Sequence, residues 1–193
     1  MSFAVATPHT SSVDRLRASD APLWLQAAGI AGFAALTAVF AQAELRLYLW
    51  EVPLTLQTIA VYSAGLFLGS RNGALAMGLY LALGLALPVF ADGGTGLAHL
   101  LGASGGYLVA FPFVAALGGA LTRERRTVGR TLVALVAGSL VLFACGVTVL
   151  HVAADHATWT ESLVGGWLRF VPWDLTKIAL VASLYAAARR ASA

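Results

Sequence analysis

Charge is scarce in this chain of 193 residues. Charged residues make up 11% of it, whereas ordinary soluble domains contain about 25%. Apolar residue types account for 59%, and the mean hydropathy is +0.81. A soluble fold of this length cannot bury so much apolar surface. The composition therefore excludes a soluble globular domain and indicates a membrane protein, with enough apolar sequence for about six spans of roughly 20 residues.

Cysteine and lysine are each represented by one residue, Cys145 and Lys177. A single cysteine excludes an internal disulfide bond. The chain also lacks the GxxxxGK[ST] pattern of phosphate-binding loops and the HExxH and GxSxG patterns of two hydrolase classes. We therefore expect no ATP hydrolysis by this chain and no cofactor, and we predict that it is not an enzyme, since nothing in the sequence supports an intramembrane one.

The domain organisation is expected to be simple. Residues 1–20 are polar and lack an apolar segment followed by a cleavage site, so we expect no cleavable signal peptide. We predict a cytoplasmic segment over 1–22, one membrane domain over 23–190 and a short tail over 191–193. The pI near 9.4 does not indicate nucleic-acid binding, because the arginines are dispersed between apolar stretches.

Six apolar stretches predict an all-α fold with six transmembrane helices. They cover approximately 23–43, 53–68, 73–87, 105–121, 131–151 and 172–188. Four residues, Gly69 to Asn72, separate the second stretch from the third, which predicts a tight helical hairpin. Pro53 and Pro172 predict the first turns of two helices, where a missing backbone N–H does no harm.

The distribution of arginine predicts the orientation. One side of a six-span arrangement receives the residues Arg15, Arg17, Arg71, Arg123, Arg125, Arg126, Arg130, Arg189 and Arg190. The opposite loops carry five acidic residues and two basic exceptions, Arg46 and Arg169. Because arginine-rich loops stay in the cytoplasm, we predict that both termini are cytoplasmic.

Asp174 and Lys177 are the strongest candidates for a binding site. Ionisable groups at membrane depth are costly and usually face the bundle interior or a water-filled site. The spacing of three residues puts both on one helix face, where they can pair. The alternative is that Asp174 caps its helix and Lys177 extends outward to the membrane surface; capping accounts for Asp174 well but leaves Lys177 poorly explained.

Further polar and glycine-rich segments lie on the predicted external side. Thr55 and Gln57 follow Pro53, and the amide of Gln57 requires a hydrogen-bond partner, either a ligand or another helix. The stretch 91–105 is rich in glycine and is predicted to form a re-entrant lid over a site. His99 within it is expected to be an exposed loop residue, because no partner stands at metal-ligand spacing.

Small residues recur every four positions in two places. Ala27, Ala31 and Ala35 form such a row in the first span, and this kind of row allows close approach of another helix. In an alanine-rich chain the pattern arises readily by chance. Gly65 and Gly73, together with Gly69 between them, form a second row, for which internal packing is the better explanation.

Several motifs together resemble one known family. VPLTLQT, LGSRNG, YLALGLALPVFADGGTG, GASGGYLVAF and VPWDLTK occur in this order between residues 52 and 177. They closely resemble the biotin-specific membrane S-components (BioY family) of energy-coupling factor transporters. Many members carry glycine where this chain has Ala86, a difference that affects the expected loop shape alone. The first span and the tail resemble the family in type.

The resemblance implies a six-helix subunit of the bacterial cytoplasmic membrane that binds biotin from outside. It implies a transmembrane T-component and two cytoplasmic ATPase subunits as partners, although some members are thought to act alone. Carried over to this sequence, the family's site positions are Gln57, Tyr80, Asp174 and Lys177. Thr55, Phe90 and Tyr107 are expected to shape the pocket or its lid. The row Ala27, Ala31 and Ala35 is expected to face the T-component.

The chemistry of biotin is compatible with this residue set. Its ureido ring donates and accepts hydrogen bonds, and its valerate chain ends in a carboxylate. An aspartate can accept from the ureido N–H groups, and a lysine can donate to a carbonyl or a carboxylate. The sequence leaves open which group each residue binds. It also leaves two alternatives open: an S-component for another vitamin, and a stand-alone carrier or channel that works without ATPases.

Overall fold

The computed structural model describes residues 12–18, 21–45 and 51–191. The helices are α1 Ser12–Arg17, α2 Leu23–Gln42, α3 Gln57–Ala86, α4 Gly96–Leu101, α5 Gly105–Leu121, α6 Val128–Ala153, α7 Trp159–Leu163 and α8 Val171–Ala191. Two short strands, β1 Glu44–Leu45 and β2 Leu54–Thr55, pair in antiparallel fashion. A 3₁₀ turn covers Ala91–Gly93, and a π-helical turn covers Val164–Leu168. Residues 1–11, Arg46 and the tail 192–193 lie outside the described residues, so the predictions for them stay predictions.

The helix α3 is a hairpin. Gly69 interrupts it with φ of +80°, a conformation that favours glycine. Gln57 and Tyr80 form a hydrogen bond of 2.6 Å across this interruption, although a straight helix would separate them by about 35 Å. The two limbs pack closely, since a Cβ atom on Gly73 would lie 3.0 Å from the carbonyl oxygen of Ala64. The predicted hairpin at Gly69 is therefore confirmed.

The described helices confirm the predicted six-helix membrane fold. Four apolar stretches are long enough to cross a membrane: Leu23–Gln42, Gln57–Gly93, Val128–Ala153 and Trp159–Ala191. The helix α5 is a shorter apolar helix. Because Gln57–Gly93 folds back at Gly69, these pieces provide six helical limbs.

Close packing of glycines holds the central limbs together. A side chain on Gly65 would overlap the backbone of Ala115 in α5, and one on Gly119 would overlap the backbone of Ser70. These contacts confirm that the glycine row in α3 serves internal packing. Large apolar side chains, including Leu23 and Val133, are exposed around the outside of the bundle, as expected for a surface that faces lipid.

The predicted helix start at Pro53 is wrong. Residues Leu54 and Thr55 are extended and pair with Leu45 and Glu44 of β1, so α3 begins at Gln57. The strand pairing satisfies backbone groups that a helix would otherwise have used. Pro172, in contrast, lies in the first turn of α8, as predicted.

Arg17 connects α3 and α5 at the end of the bundle that carries the Gly69 turn. Its guanidinium donates to the carbonyl oxygens of Leu66 at 2.5 Å and Gly119 at 2.9 Å. Both carbonyls lie at helix ends, where the usual intrahelical partner is missing. Thr122 and Tyr185 lie within 3.3 Å of the same guanidinium. Because a cation is also favoured at helix C-termini, Arg17 stabilises the first limb of α3 and α5 together.

We expect Arg17→Ala to lower the thermal melting temperature of the purified protein, by the equivalent of about 2 kcal/mol for lost hydrogen bonds to a charged group. Arg17→Lys should restore less than half of the loss, because an ammonium group cannot reproduce the planar fork that reaches two carbonyls. Arg15→Ala is the matched control, since Arg15 is exposed on the same short helix. Equal melting temperatures for the two alanine variants would contradict the assigned role.

Candidate ligand-binding site

A cavity lies at the opposite end of the bundle from Arg17. Residues from β2, the first limb of α3, α5, α6 and α8 line it. Its apolar wall includes Phe111, Leu142 and Phe143. The polar side includes Asp174 and Lys177. An apolar cavity with a few converging polar groups is the usual form of a small-molecule site.

Asp174 is held by two hydroxyl groups from different helices. Tyr62 in α3 donates to Oδ1 at 2.8 Å, and Ser139 in α6 donates to Oδ2 at 2.5 Å. Asp174 is 5% exposed. Its partners are therefore side chains of neighbouring helices, and the alternative in which Asp174 serves to cap α8 is not what the structure shows.

Lys177 reaches across the cavity to β2. Its Nζ atom donates to the carbonyl oxygen of Thr55 at 2.6 Å, and the side chain is half-buried. The outward-pointing alternative is therefore wrong. Asp174 and Lys177, both within the described chain, line one cavity but do not form the direct ion pair that their spacing allows. Each binds a different element, so together they connect α8 to α3, α6 and β2.

Gln57 belongs to a chain of hydrogen bonds beside the cavity. Its Oε1 atom accepts from the Thr55 hydroxyl at 3.2 Å, and its Nε2 atom donates to Tyr80 at 2.6 Å. Tyr80 in turn donates to the carbonyl oxygen of Val89 at 3.2 Å. Gln57 therefore has the helix–helix partner that one alternative required, and it also lines the cavity, so its contact with a ligand stays a prediction.

Tyr80 and Phe90 lie behind the cavity wall. Both side chains are 0% exposed, and their rings meet edge to face with centroids 5.5 Å apart. Phe90 occupies the space beside Gly84, where any side chain on residue 84 would overlap its ring. The structure therefore places these two predicted site residues where they support Gln57 and the loop, and neither contributes to the cavity lining.

The predicted lid segment is more ordered than a glycine-rich loop. It contains the turn Ala91–Gly93 and the helix α4, and Ala91, His99 and Ser104 from this stretch line the cavity. His99 stacks on Phe90 with centroids 5.1 Å apart and is half-buried, so the expectation of an exposed loop residue is wrong. Opening of this segment as a lid stays a prediction.

Tyr107 is brought to the cavity from α5. Its hydroxyl donates to the carbonyl oxygen of Gly166 at 2.6 Å, and its ring packs against Gly146. The aromatic side chain thus joins α5 and α6 to the π-helical turn before α8. Phe143 meets it edge to face at 6.1 Å, which extends the apolar wall.

The sequence predictions missed two groups of site residues. Tyr62 and Ser139 hold Asp174, and Phe143 and Phe170 contribute to the wall. A buried carboxylate in a membrane span requires donors, so Tyr62 and Ser139 were among the possible partners. The sequence offers several other hydroxyl residues in these spans, however, and gives no signal that selects these two.

The arrangement is suited to binding a small molecule reversibly. It offers a carboxylate acceptor, an ammonium donor, an amide and an aromatic wall. No group of three or more His, Cys, Asp or Glu residues that could hold a metal ion occurs in the described ranges. The predicted partner face on α2 is separate from this cavity, and its residues Ala27, Ala31 and Ala35 are exposed.

Comparisons with known proteins agree on one family. A model of the BioY family matches residues 12–193. A probable biotin transporter BioY of Pyrococcus horikoshii is 40% identical over 154 residues, covering 78% of this chain and 87% of the relative. One from Lysinibacillus sphaericus is 36% identical over 165 residues, with coverages of 81% and 82%. The crystal structure of an S-component for biotin from an ECF-type ABC transporter superposes with a TM-score of 0.76 at 27% identity, covering 86% of this chain and 90% of that one.

Proposed function

Since this chain belongs to the BioY family, we propose that it binds biotin in the cavity beside Asp174 and Lys177 and serves as the substrate-specific subunit for biotin uptake. The observation that carries the proposal is the convergence of a buried carboxylate and a lysine on one apolar cavity. A transport subunit needs a site of this kind and no catalytic group. ATP hydrolysis would belong to partner subunits.

The cavity offers a complementary group for each part of biotin. The thioether ring and the valerate methylenes are apolar and suit the wall formed by Phe111, Phe143 and Phe170. Asp174 can accept from ureido N–H groups, and Lys177 can donate to a carbonyl or carboxylate oxygen. Lys177 exchanges the Thr55 carbonyl for the ligand in this proposal, so binding would loosen its contact with β2.

A titration tests biotin specificity. We expect purified protein in detergent to bind biotin with saturable heat and a change in tryptophan fluorescence. Trp173 precedes the cavity-lining Asp174, and Trp167 stacks on the cavity-lining Phe143 with centroids 6.2 Å apart. Thiamine, with a different ring system, is the control ligand and should give no saturable signal. Absence of a biotin response would refute the proposed function, and a response to thiamine would favour an S-component for another vitamin.

The proposed partners are a transmembrane T-component and two ATPase subunits, with the exposed row Ala27, Ala31 and Ala35 as the docking face. The S-component nature of the structural relative supports this assembly. Uptake of labelled biotin should be measured in cells with and without the partner subunits. Strong dependence on them is the expected result, and undiminished uptake without any ATPase would establish the stand-alone carrier instead.

The proposed location is the cytoplasmic membrane, with the biotin cavity outside and both termini inside. The end that carries Arg17, Arg71 and Arg123 lies opposite the cavity, and this arrangement supports the orientation.

Cysteine labelling tests the orientation. In a background with Cys145→Ala, we expect Ala157→Cys to react with a membrane-impermeant maleimide in intact cells. Glu124→Cys should react after the cells are opened. Both positions are exposed and lie in loops at opposite ends. The reverse labelling pattern would show that the orientation is inverted.

A further inference from the structure

A second cavity lies between the start of α6 and the end of α8. Its volume is about 260 Å³, and three arginines line it: Arg126, Arg189 and Arg190. The remaining lining is mostly apolar and includes Val128 and Ala186. It lies at the end of the bundle that carries the Arg17 contacts, since Tyr185 belongs both to this lining and to those contacts. We refer to this cavity as the arginine cleft.

The arginine cleft contains an unsatisfied donor. Arg189 uses Nη1 to donate to the carbonyl oxygen of Arg126 at 2.6 Å, but its Nε–H group is buried and has no acceptor among the described residues. A buried donor that belongs to a cation costs more free energy than a neutral one. An acceptor that reached this group would offset the cost, and an anionic acceptor would do so best.

The charge of the lining points to an anion as well. None of the described lining residues of the cleft carries a carboxylate, whereas three carry a guanidinium. Guanidinium groups match the oxygen geometry of phosphate closely. The first turn of α6 begins at Val128 beside the cleft, and the N-terminus of this 26-residue helix adds a favourable dipole. The chemistry of the cleft thus suits a phosphate group.

The surface beside the cleft indicates which kind of phosphate compound would fit there. Val128 lines the cleft, and Leu132 and Val136 continue its helix face towards the middle of α6. All three side chains are exposed, by 54%, 37% and 42%. An apolar strip that starts at a cleft with three guanidinium groups fits a molecule with a phosphate head and a hydrocarbon tail. Basic pockets between membrane helices at the cytoplasmic boundary are suited to such headgroups.

We propose that the arginine cleft binds the headgroup of an anionic phospholipid of the cytoplasmic leaflet, with an acyl chain along Val128, Leu132 and Val136. This site is separate from the biotin cavity and does not require biotin binding, but its assignment to the cytoplasmic leaflet rests on the proposed orientation. A lipid held there bridges α6 and α8, the two helices that supply Ser139 and Asp174 to the other end of the bundle.

Native mass spectrometry of the detergent-purified protein tests the proposal. Phosphatidylglycerol and phosphatidylcholine with identical acyl chains are added in equal amounts. We expect the wild-type chain to retain one phosphatidylglycerol at least about tenfold more often than phosphatidylcholine. Arg189→Gln with Arg190→Gln should abolish this preference. Arg123→Gln with Arg125→Gln is the matched control, because it removes the same charge from exposed positions outside the cleft and should retain the preference.

Two additions make the experiment decisive. Arg190→Gln alone serves as the test if the double variant is unstable. It removes a charge from an exposed side chain, so it should reduce the preference for phosphatidylglycerol severalfold without affecting folding. Inorganic phosphate at millimolar concentration should leave the bound phosphatidylglycerol in place. Equal retention of both lipids, equal loss in the control variant, or displacement of the lipid by phosphate alone would each overturn the proposal.

Discussion

Lys177→Met is expected to weaken biotin binding at least about 100-fold, which corresponds to about 2.8 kcal/mol. Methionine keeps much of the side-chain volume but removes the single ammonium group that lines the cavity. A charge-assisted hydrogen bond to the ligand would be lost, and the donor to the Thr55 carbonyl would be lost with it. Calorimetric titration with biotin measures the effect directly. Thr176→Val is the control, because Thr176 is exposed on the neighbouring face of α8 and should retain normal affinity.

The double variant Asp174→Asn with Lys177→Met separates ligand binding from folding. Asparagine keeps the shape of Asp174, and its Oδ1 atom can still accept from Tyr62 while the Ser139 hydroxyl rotates to accept from Nδ2. Neither of these two positions then carries a buried charge that has lost its partner. We therefore expect a melting temperature within a few degrees of the wild-type value and biotin affinity reduced at least as far as in Lys177→Met. Affinity close to wild type would remove both residues from the site.

Tyr62→Phe and Ser139→Ala are each expected to weaken biotin binding about tenfold, or about 1.4 kcal/mol. Each change removes one hydroxyl donor from Asp174 and leaves the rest of the packing in place. The carboxylate would then no longer be fixed in one orientation towards the cavity. Tyr62 and Ser139 are positioning residues in this interpretation, because they act on the ligand through Asp174.

A double-mutant cycle distinguishes positioning from general packing. In the Asp174→Asn background, Tyr62→Phe should change biotin affinity by less than about twofold, because the group through which Tyr62 acts has been replaced. A packing defect would reduce affinity by the same factor in both backgrounds. Melting temperatures of all four proteins measure the contribution to stability separately. Additive effects on affinity would contradict the positioning role.

Much of the fold could be predicted because membrane insertion depends on local sequence. An apolar run long enough to cross the bilayer must form a helix there, since its backbone groups find no other partners. The positions of α2, α5, α6 and α8 follow from this rule, and so does the α3 hairpin at Gly69. The rule does not apply outside the hydrocarbon layer. The helix start that was wrongly predicted at Pro53 belongs to a segment of this kind. The segment after it pairs with β1, a contact between residues about ten positions apart.

Part of the candidate site could be predicted because polar and charged residues inside membrane spans are costly and therefore rare. The rarity of ionisable residues in the spans makes Asp174 and Lys177 conspicuous without any structural information. Gln57 is conspicuous on the same grounds. Tyr80 and Phe90 were assigned to the site by resemblance, and the structure shows them packed behind it. An aromatic side chain can line a cavity or fill the space behind its wall, and these two uses have the same sequence signature.

The sequence by itself determined that the chain spans a membrane, where its membrane-crossing helices fall to within a few residues, and which buried charges need a partner. These properties depend on the transfer of single segments and single side chains from water into lipid, so they are properties of residue type. The tertiary structure alone decided that Tyr62 and Ser139 hold Asp174, that Lys177 binds the Thr55 carbonyl, and that three arginines meet in one cleft. These contacts depend on the rotation and crossing angles of helices that are distant in sequence. Close packing against glycines such as Gly65 and Gly119 fixes that geometry, and no local pattern encodes it.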